Sequence, residues 1–365
     1  DDPWTNYPGG NPIPLLSSLA GVGAASKNAV FPFFGNYVNY PADGFKPMYV
    51  NQWNISIQRQ VGQWMFTANY LGNNTVHMTT SEPANPAVYL GLGACAQQQT
   101  NALTGAITSV NQATCSTTAN QNFRRELFLK NPLEGRYYAG VGRALDSGTA
   151  SYNALYLAAN KALAKGLTLN TNFTWSHCIT VPYDQQTGAG GVAPKGDVNR
   201  YRSDCAPQDV RMSWVLNAVY TTQKMSNKTV SMLVSGWQIA PIIQVRSGQT
   251  VNLTAGTDQS LTTTANQRAV QTLADPYCAQ TSIDCWVNPA AFASPALGTF
   301  VAGRSGTIQG PGMLQVNTAV SRTFKIREKQ TFQLRGEAFN LPNTLNPNTP
   351  TGGRNSGNFG KILTD

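Results

Sequence analysis

Residues 49–72 read YVNQWNISIQRQVGQWMFTANYLG. Trp53, Ile55 and Ile57 stand at every second position, with Gln52, Asn54, Ser56 and Gln58 between them. Gly62 interrupts the run, after which Phe66, Ala68 and Tyr70 alternate with Thr67 and Asn69. A period of two with one apolar and one polar face specifies a β-strand, because successive side chains leave a strand on opposite sides. Two such runs around a short glycine-containing break specify a hairpin.

The pattern recurs three times. Residues 151–162 carry Leu155, Leu157 and Ala159 on one face. After Lys165-Gly166, residues 167–176 set Leu167, Leu169, Thr171, Phe173 and Trp175 against Thr168, Asn170, Asn172, Thr174 and Ser176. A third pair covers 211–222 and 230–247, with Trp214, Leu216, Ala218 and Tyr220, then Trp237, Ile239, Pro241, Ile243 and Val245. A fourth covers 314–325 and 329–340, turns at Arg327-Glu328, and sets Phe332, Leu334 and Ala338 against Gln333, Arg335 and Glu337. The remaining connections, 81–148, 177–208, 248–311 and 341–358, are long. About eight strands with short turns at one end and long loops at the other form an up-and-down antiparallel sheet.

Composition narrows the class. Only 12% of the 365 residues are charged, against about 25% in an ordinary soluble domain. Hydrophobic content is 41%, so Asn, Gln, Ser, Thr and Gly have replaced the charges. This excludes a charge-rich cytosolic enzyme. With no stretch near 18 uninterrupted apolar residues, it also excludes an α-helical membrane protein. Abundant Gly, Pro, Tyr and Phe suit an all-β chain with many turns. The net charge is +9, but the longest basic run is Arg124-Arg125. A basic patch needs a cluster, so no nucleic-acid partner is expected. The chain starts at Asp1-Asp2-Pro3-Trp4 without an initiator Met or a signal-peptide core, and stops in running sequence, as an internal fragment does.

The six cysteines, Cys95, Cys115, Cys178, Cys205, Cys278 and Cys285, contain no C-x-x-C, and only His77 and His177 are at hand to help bind a metal. No metal site is expected. An even cysteine count points to disulfides in an oxidising compartment. Two cysteines fall in each of three long loops. Cys95–Cys115, Cys178–Cys205 and Cys278–Cys285 is therefore the natural pairing, one of 15 connectivities that six cysteines allow.

Next comes the question of which face is wet. In a soluble sandwich the apolar faces of two sheets meet, and the outward faces are rich in Lys, Glu and Asp. Here the polar faces carry Asn, Gln, Thr and Ser. In an outer-membrane barrel the apolar face meets lipid and the polar face lines a lumen. Trp53, Trp64, Tyr70, Trp175, Trp214, Tyr220 and Trp237 gather near strand ends, as interfacial girdles do. The reading is an all-β, antiparallel, up-and-down transmembrane β-barrel fragment with long disulfide-bearing loops on one side. A soluble extracellular carbohydrate-binding β-sandwich is the alternative.

Several stretches, in order and spread over the chain, carry a family resemblance. They are Asp2-Pro3-Trp4, Tyr7-Pro8-Gly9-Gly10-Asn11-Pro12, Gln52–Gln60, Tyr70-Leu71-Gly72-Asn73 and Tyr152-Asn153-Ala154-Leu155. Further on come Thr174-Trp175-Ser176-His177-Cys178, Ser235-Gly236-Trp237, Asn288-Pro289-Ala290-Ala291-Phe292, Gly310-Pro311-Gly312, Arg335–Leu341 and Phe359-Gly360. Together they resemble the C-terminal barrel of TonB-dependent receptors, specifically the Oar-like subfamily abundant in Acidobacteria. The resemblance implies residence in the bacterial outer membrane, among its lipids. It also implies energised uptake of an extracellular ligand (carbohydrate, peptide or chelate) through a plug domain and the TonB–ExbB–ExbD system. A structural or adhesive surface protein on the same wall is the other outer-membrane reading. The family pattern continues past Phe359-Gly360 into a last strand ending in an aromatic residue, and begins with a carboxypeptidase-regulatory-like domain, a TonB box and a plug. None of these lies in the present sequence. Residues 1–365 are thus expected to be the last part of a barrel of about 22 strands.

No enzyme is expected. Nucleophilic catalysis needs Ser or Cys beside a histidine oriented by a carboxylate. His77 falls just past a strand, and His177 stands beside a cysteine expected to be oxidised. Asp184, Asp197, Asp204 and Asp209 share one loop, where a carboxylate pair could serve glycoside hydrolysis, but they read as a solvated or calcium-tolerant loop. Gly188–Ala193 fits G-x-G-x-x-A, but no strand precedes it, so no dinucleotide or other cofactor is expected. The candidate ligand-binding residues are Arg246, Arg335 and Glu337 on the lumenal face. To these we add the aromatic stretch Phe31, Phe33, Phe34, Tyr37 and Tyr40, expected outside the strands as a stacking surface.

Overall fold

A computed structural model describes residues 34–39, 41, 44–101, 105–181, 195–196, 198–264, 267–301, 307–327 and 330–363. In chain order the strands are β1 (Gly35–Asn39), β2 (Tyr49–Val61), β3 (Trp64–Pro83), β4 (Cys95–Thr100), β5 (Ile107–Gln112), β6 (Tyr138–Ala164), β7 (Leu167–Thr180) and β8 (Ser203–Asp204). They continue as β9 (Met212–Thr221), β10 (Trp237–Arg246), β11 (Thr250–Asn252), β12 (Val270–Gln271), β13 (Phe292–Ala293), β14 (Thr307–Gln309), β15 (Met313–Arg327) and β16 (Gln330–Ala338). Eight long strands lie side by side in the order β16-β15-β10-β9-β7-β6-β3-β2. Each is next to its sequence neighbour among the long strands, which is the up-and-down topology expected. Among the described residues the sheet is open, with β2 and β16 at its two edges. No described helix is long and apolar enough to cross a membrane.

Register shows why one face is largely apolar. Ile55 pairs with Tyr70 and Ile57 with Ala68. Leu157 pairs with Phe173, and Phe173 with Trp214. Leu216 meets Ile243, Ile243 meets Val316, and Phe324 meets Phe332. In-register pairing of period-two strands keeps each set on its own side, so the apolar rows join into one continuous face. Among the described residues no second sheet covers them: Ile57 is 68% exposed, Trp175 58% and Phe332 54%. In water such a patch is far beyond what a soluble monomer tolerates, and a sandwich would have buried it.

Several polar atoms on this face are tied down. The Trp214 indole N–H donates to Thr171 Oγ1 at 2.8 Å, and Thr171 Oγ1 donates on to the Val215 carbonyl at 3.1 Å. The Tyr70 hydroxyl donates to Asn153 Oδ1 at 2.8 Å. Unsatisfied, each would cost several kcal/mol in hydrocarbon. Gly72 lies opposite Trp53. A β-carbon there would collide with the indole, so the bare glycine lets the Trp53 ring lie flat on the sheet. The Gln52–Gln60 and Tyr70–Asn73 stretches are thus two halves of one contact.

The structure corrects several boundaries. β3 runs on to Pro83, and β6 begins at Tyr138, inside the stretch read as a loop. Gly140, Gly142 and Gly148 blur the alternation there. His77 is therefore within β3 rather than beyond it, at a left-handed kink with φ 58°. Tyr37 is in β1, not outside the strands. β1 pairs in parallel with Tyr138–Arg143, an edge that β7 leaves free because its pairing with β6 starts at Ala150. Residues 228–234 form a helix, not the start of a strand. Asn227 Oδ1 accepts from the Thr229 and Val230 amides and caps it, and the strand starts only at Trp237. Phe31, Phe33, Tyr40, Asp184, Asp197 and Gly188–Ala193 lie outside the described residues.

The chain divides into two compact units. One comprises Asp1–Tyr40, Pro83–Arg143 and Leu261–Thr263. It holds β1, the β4–β5 hairpin and the short helices Glu126–Lys130 and Pro132–Gly135. The other comprises Pro41–Glu82, Ala144–Ser260 and Thr264–Asp365, and holds the bulk of the sheet. Its dry core is in the loops, not on the sheet: Leu253, Ala269, Val287, Ala291, Phe292, Ile308 and Phe359 pack together.

A charge separates the two faces experimentally. Leu216→Arg, on the apolar face in mid-strand, should cost about 2–4 kcal/mol of folding stability in a bilayer, while Asn217→Arg on the polar face should cost little. Folded yield in outer-membrane fractions measures this. Equal tolerance of both would overturn the two-faced sheet.

Candidate functional site

The candidate site is built from the polar face of the sheet and the loops at the end away from the short turns. On the polar face Ser56, Gln58, Thr67 and Asn69 from β2 and β3 face the same way, as their register requires. Asn160 accepts from the Asn170 amide across β6 and β7. β10, β15 and β16 add Gln238, Gln244, Gln315, Asn317 and Gln333. Leu71, Val219 and Ile242 interrupt this row. Neutral amides and hydroxyls offer many hydrogen bonds without a dominating charge.

Arg335 and Glu337 share this face, as their two-residue spacing predicts. Arg335 Nε and Nη2 both reach Glu337 Oε1, at 2.6 and 2.5 Å. Both side chains are substantially exposed, so the pair contributes little stability. It does fix a guanidinium and a carboxylate on the wall. Arg246 ends β10 on the same face, paired in register with Ser213 and Met313. It is exposed and has no ion-pair partner among the described residues. Tyr37, in the smaller unit, lies 5.3 Å centroid to centroid from Tyr138. Phe33 and Tyr40 fall outside the described residues. The structure therefore puts Arg246, Arg335 and Glu337 on one face and Tyr37 elsewhere.

The loops are clamped. Cys95–Cys115, Cys178–Cys205 and Cys278–Cys285 are all bonded, the pairing of nearest neighbours in sequence. Around the second bond sits a cluster that corrects one expectation: Asp204 and Asp209 are not solvated, their side chains being 12% and 1% exposed. His177 Nε2 is 3.0 Å from Asp204 Oδ1. Arg211 Nη2 is 3.2 Å from Asp204 Oδ2, and Arg211 Nε donates to Asp209 Oδ2 at 2.6 Å. Asp209 is buried and its other oxygen accepts from the Cys178 amide at 2.9 Å. The His177, Asp204 and Asp209 ligand atoms all lie within 4.8 Å of one another, close enough to hold a metal ion. The Arg211 guanidinium already faces both carboxylates, so the group fits a structural clamp of β7 to the following loop. The signal was present in the sequence: His177 precedes Cys178 and Asp204 precedes Cys205, so that bond brings both together.

The third disulfide borders the loop core. Tyr277 and Trp286 meet edge to face at 6.3 Å. The Trp286 indole N–H and the Tyr277 hydroxyl both donate to the Gln309 carbonyl, at 3.1 and 3.2 Å. Asn288 caps the turn Pro289–Ala291 through the Ala290 amide. Phe292 meets Phe359 at 6.3 Å. Gly360, at φ 78°, accepts from the Trp286 and Val287 amides. A β-carbon on it would strike the Val287 carbonyl. The Asn288–Phe292 and Phe359-Gly360 stretches are thus parts of one packed nest.

In the smaller unit Arg124 is fully buried. It donates to Asn120 Oδ1 and to the carbonyls of Val88, Thr117 and Leu261. Arg125 beside it donates to Asn122 Oδ1 and the Asn85 carbonyl. Burial pulls its pKa down to about 10, which leaves it charged at neutral pH. The one basic doublet of the chain is consumed in holding a loop.

A family model described as "Outer membrane beta barrel domain" matches residues 2–365. No curated protein matches the chain. Among solved structures, the chain is similar to the outer membrane transporter YddB from Escherichia coli, at 8% identity and a TM-score of 0.41, with 86% of this chain and 31% of that one covered. It is also similar to the siderophore receptor PirA from Acinetobacter baumannii, at 10% identity and a TM-score of 0.30, with 78% and 26% covered. The chain thus spans less than a third of either.

The clamp can be tested. Arg211→Leu strips the buried Asp209 of its guanidinium and should cost about 3 kcal/mol. Arg211→Lys should restore most of this. The midpoint of urea unfolding of the assembled protein reports it, and an unchanged midpoint in Arg211→Leu would mean the cluster contributes nothing.

Proposed function

Because the chain belongs to the outer membrane beta barrel domain family, and so resides in the bacterial outer membrane, we propose that it forms part of the wall of a transporter. In this reading external loops capture a ligand, which then passes along the polar face with energy delivered by the TonB–ExbB–ExbD system through a plug. Residues 1–365 are the C-terminal portion of one such barrel. The edges at β2 and β16, which are open among the described residues, support this, since unpaired strand edges do not persist in lipid. The observation that carries the proposal is the two-faced sheet. Eight strands present an exposed apolar side and an amide-rich side bearing Arg246, Arg335 and Glu337.

The wall has no catalytic task here, and no cofactor enters. Its work is selection. Disulfides and the Arg211 clamp hold the loops in place before a ligand arrives, so less ordering entropy is lost on binding. Arg246 is free to meet an anionic group. The Arg335–Glu337 pair offers a donor and an acceptor together, and Tyr37, with Phe33 and Tyr40, offers ring faces. This chemistry suits a polar ligand such as a carbohydrate, a peptide or a chelate, of the Oar-like kind that the sequence resembles.

Uptake of carbohydrate, peptide and metal-chelate candidates by cells carrying the protein, with and without TonB, tests the reading. Uptake should need TonB. Arg246→Gln should weaken binding by about 1.5–3 kcal/mol, with surface expression unchanged. Ligand-dependent growth that is indifferent to TonB would favour an adhesive or passive role.

A further inference from the structure

The connection between β9 and β10 differs from the other three short ones. Lys165-Gly166 and similar brief turns join the neighbouring pairs, but here the helix Lys228–Val234 intervenes. Its position is fixed by two residues of the apolar face. The Trp237 indole N–H donates to the Leu233 carbonyl at 2.8 Å. Arg322 Nη1 and Nη2 donate to the Leu233 and Met232 carbonyls at 2.9 and 2.6 Å. Trp237 pairs with Arg322 in register, on the side that carries Ile239, Val320 and Phe324. The helix therefore docks on the lipid side of the sheet at its short-turn end.

What it presents there is unusual for a turn. Met232 and Leu233 are 67% and 64% exposed, and Val230 and Val234 are exposed as well. Beside it is an open cleft of about 750 Å³, lined by Lys224, Lys228, Arg322 and Lys325 among others. Among the described residues no acidic side chain lines the cleft, and none of the four cations has a carboxylate partner. Arg322 stacks on Phe324 at 4.7 Å and on Trp237 at 5.8 Å, a cation held over aromatic rings at the border of an apolar face. In a chain with 12% charged residues, four cations that face no carboxylate among the described residues are a notable concentration.

We propose that this element is an interfacial anchor that binds the phosphate headgroup of an anionic phospholipid. Short turns of such barrels lie on the periplasmic side, so the lipid belongs to the inner leaflet. Met232, Leu233 and Val230 enter the acyl region, continuing the apolar face, while Lys224, Lys228 and Arg322 meet the headgroup. A short apolar helix with basic neighbours lies in an interface for this reason, and each cation adds to the attraction of a negative surface. The inference rests on residence in the membrane and not on transport, so failure of either leaves the other standing.

The test uses the whole protein, folded and placed in nanodiscs of phosphatidylcholine with part replaced by phosphatidylglycerol. Native mass spectrometry counts the lipid retained after release. The wild type should keep phosphatidylglycerol in preference to phosphatidylcholine. Lys224→Ala/Lys228→Ala should lose that preference by about fivefold per cation, whereas Lys224→Arg/Lys228→Arg and the loop control Lys361→Ala should keep it. Heat-modifiable gel mobility verifies folding. Should the double alanine variant fail to assemble, a salt titration of the wild type decides: the preference must fall as salt rises. Equal retention by wild type and double variant overturns the proposal, as does a salt-independent preference. Displacement of the lipid by inorganic phosphate alone would likewise overturn it, by revealing a free-anion site.

Discussion

Backbone N–H and C=O groups that enter hydrocarbon must find their partners within the protein, since lipid supplies none. The antiparallel ladders from β2 to β16 meet that demand strand by strand, and most other features follow from it. Regular pairing forces the side chains into two sets. One set must suit lipid and the other must suit water, which leaves few positions where a charge is tolerable. The scarcity of Lys, Arg, Asp and Glu is thus a product of the wall's geometry. The same constraint governs the few polar atoms on the lipid side. Trp214, Thr171, Tyr70 and Asn153 spend their hydrogen bonds on one another or on a carbonyl.

Where charges are kept, several have identifiable work. Arg124 and Arg125 gather carbonyls in the smaller unit, Arg322 holds the end of a helix, and Arg211 spans two carboxylates. Each is a rigid fork of several donors, which suits the fastening of irregular backbone better than the single ammonium of lysine. The net charge of +9 thus includes cations committed to fastening. It does not arise from a surface shaped for nucleic acid.

Much of the wall was legible because period two is a strong signal when one face is apolar. The 52–60, 66–70 and 167–176 runs lie where the strands are, and the Lys165-Gly166 turn is real. The disulfide pairing was also legible, since each pair shares a connection. Other features were hidden for physical reasons. Tyr138–Gly148 is too rich in glycine to alternate visibly, although neighbouring strands make it extended. Residues 230–234 read as strand because apolar residues are frequent there, and only the Asn227 cap betrays a helix. The His177–Asp204–Arg211–Asp209 cluster is assembled by a covalent bond between distant segments, so no local pattern marks it. Of the candidate ligand residues, the shared face of Arg335 and Glu337 followed from spacing. The location of Tyr37 depended on a parallel pairing that no short-range rule predicts.

The loop core has a consequence for the order in which the molecule can be completed. Its walls come from residues 251–308, yet Phe359 and Gly360, beyond the last long strand, fill its centre and cap its edge. The hairpins of the sheet join residues close in sequence, whereas this core must bring together segments far apart in the chain, and the entropy of closing so long a loop has to be met before such contacts reward it. The strand pairs are therefore the early part of the fold, and the loop nest is the late one.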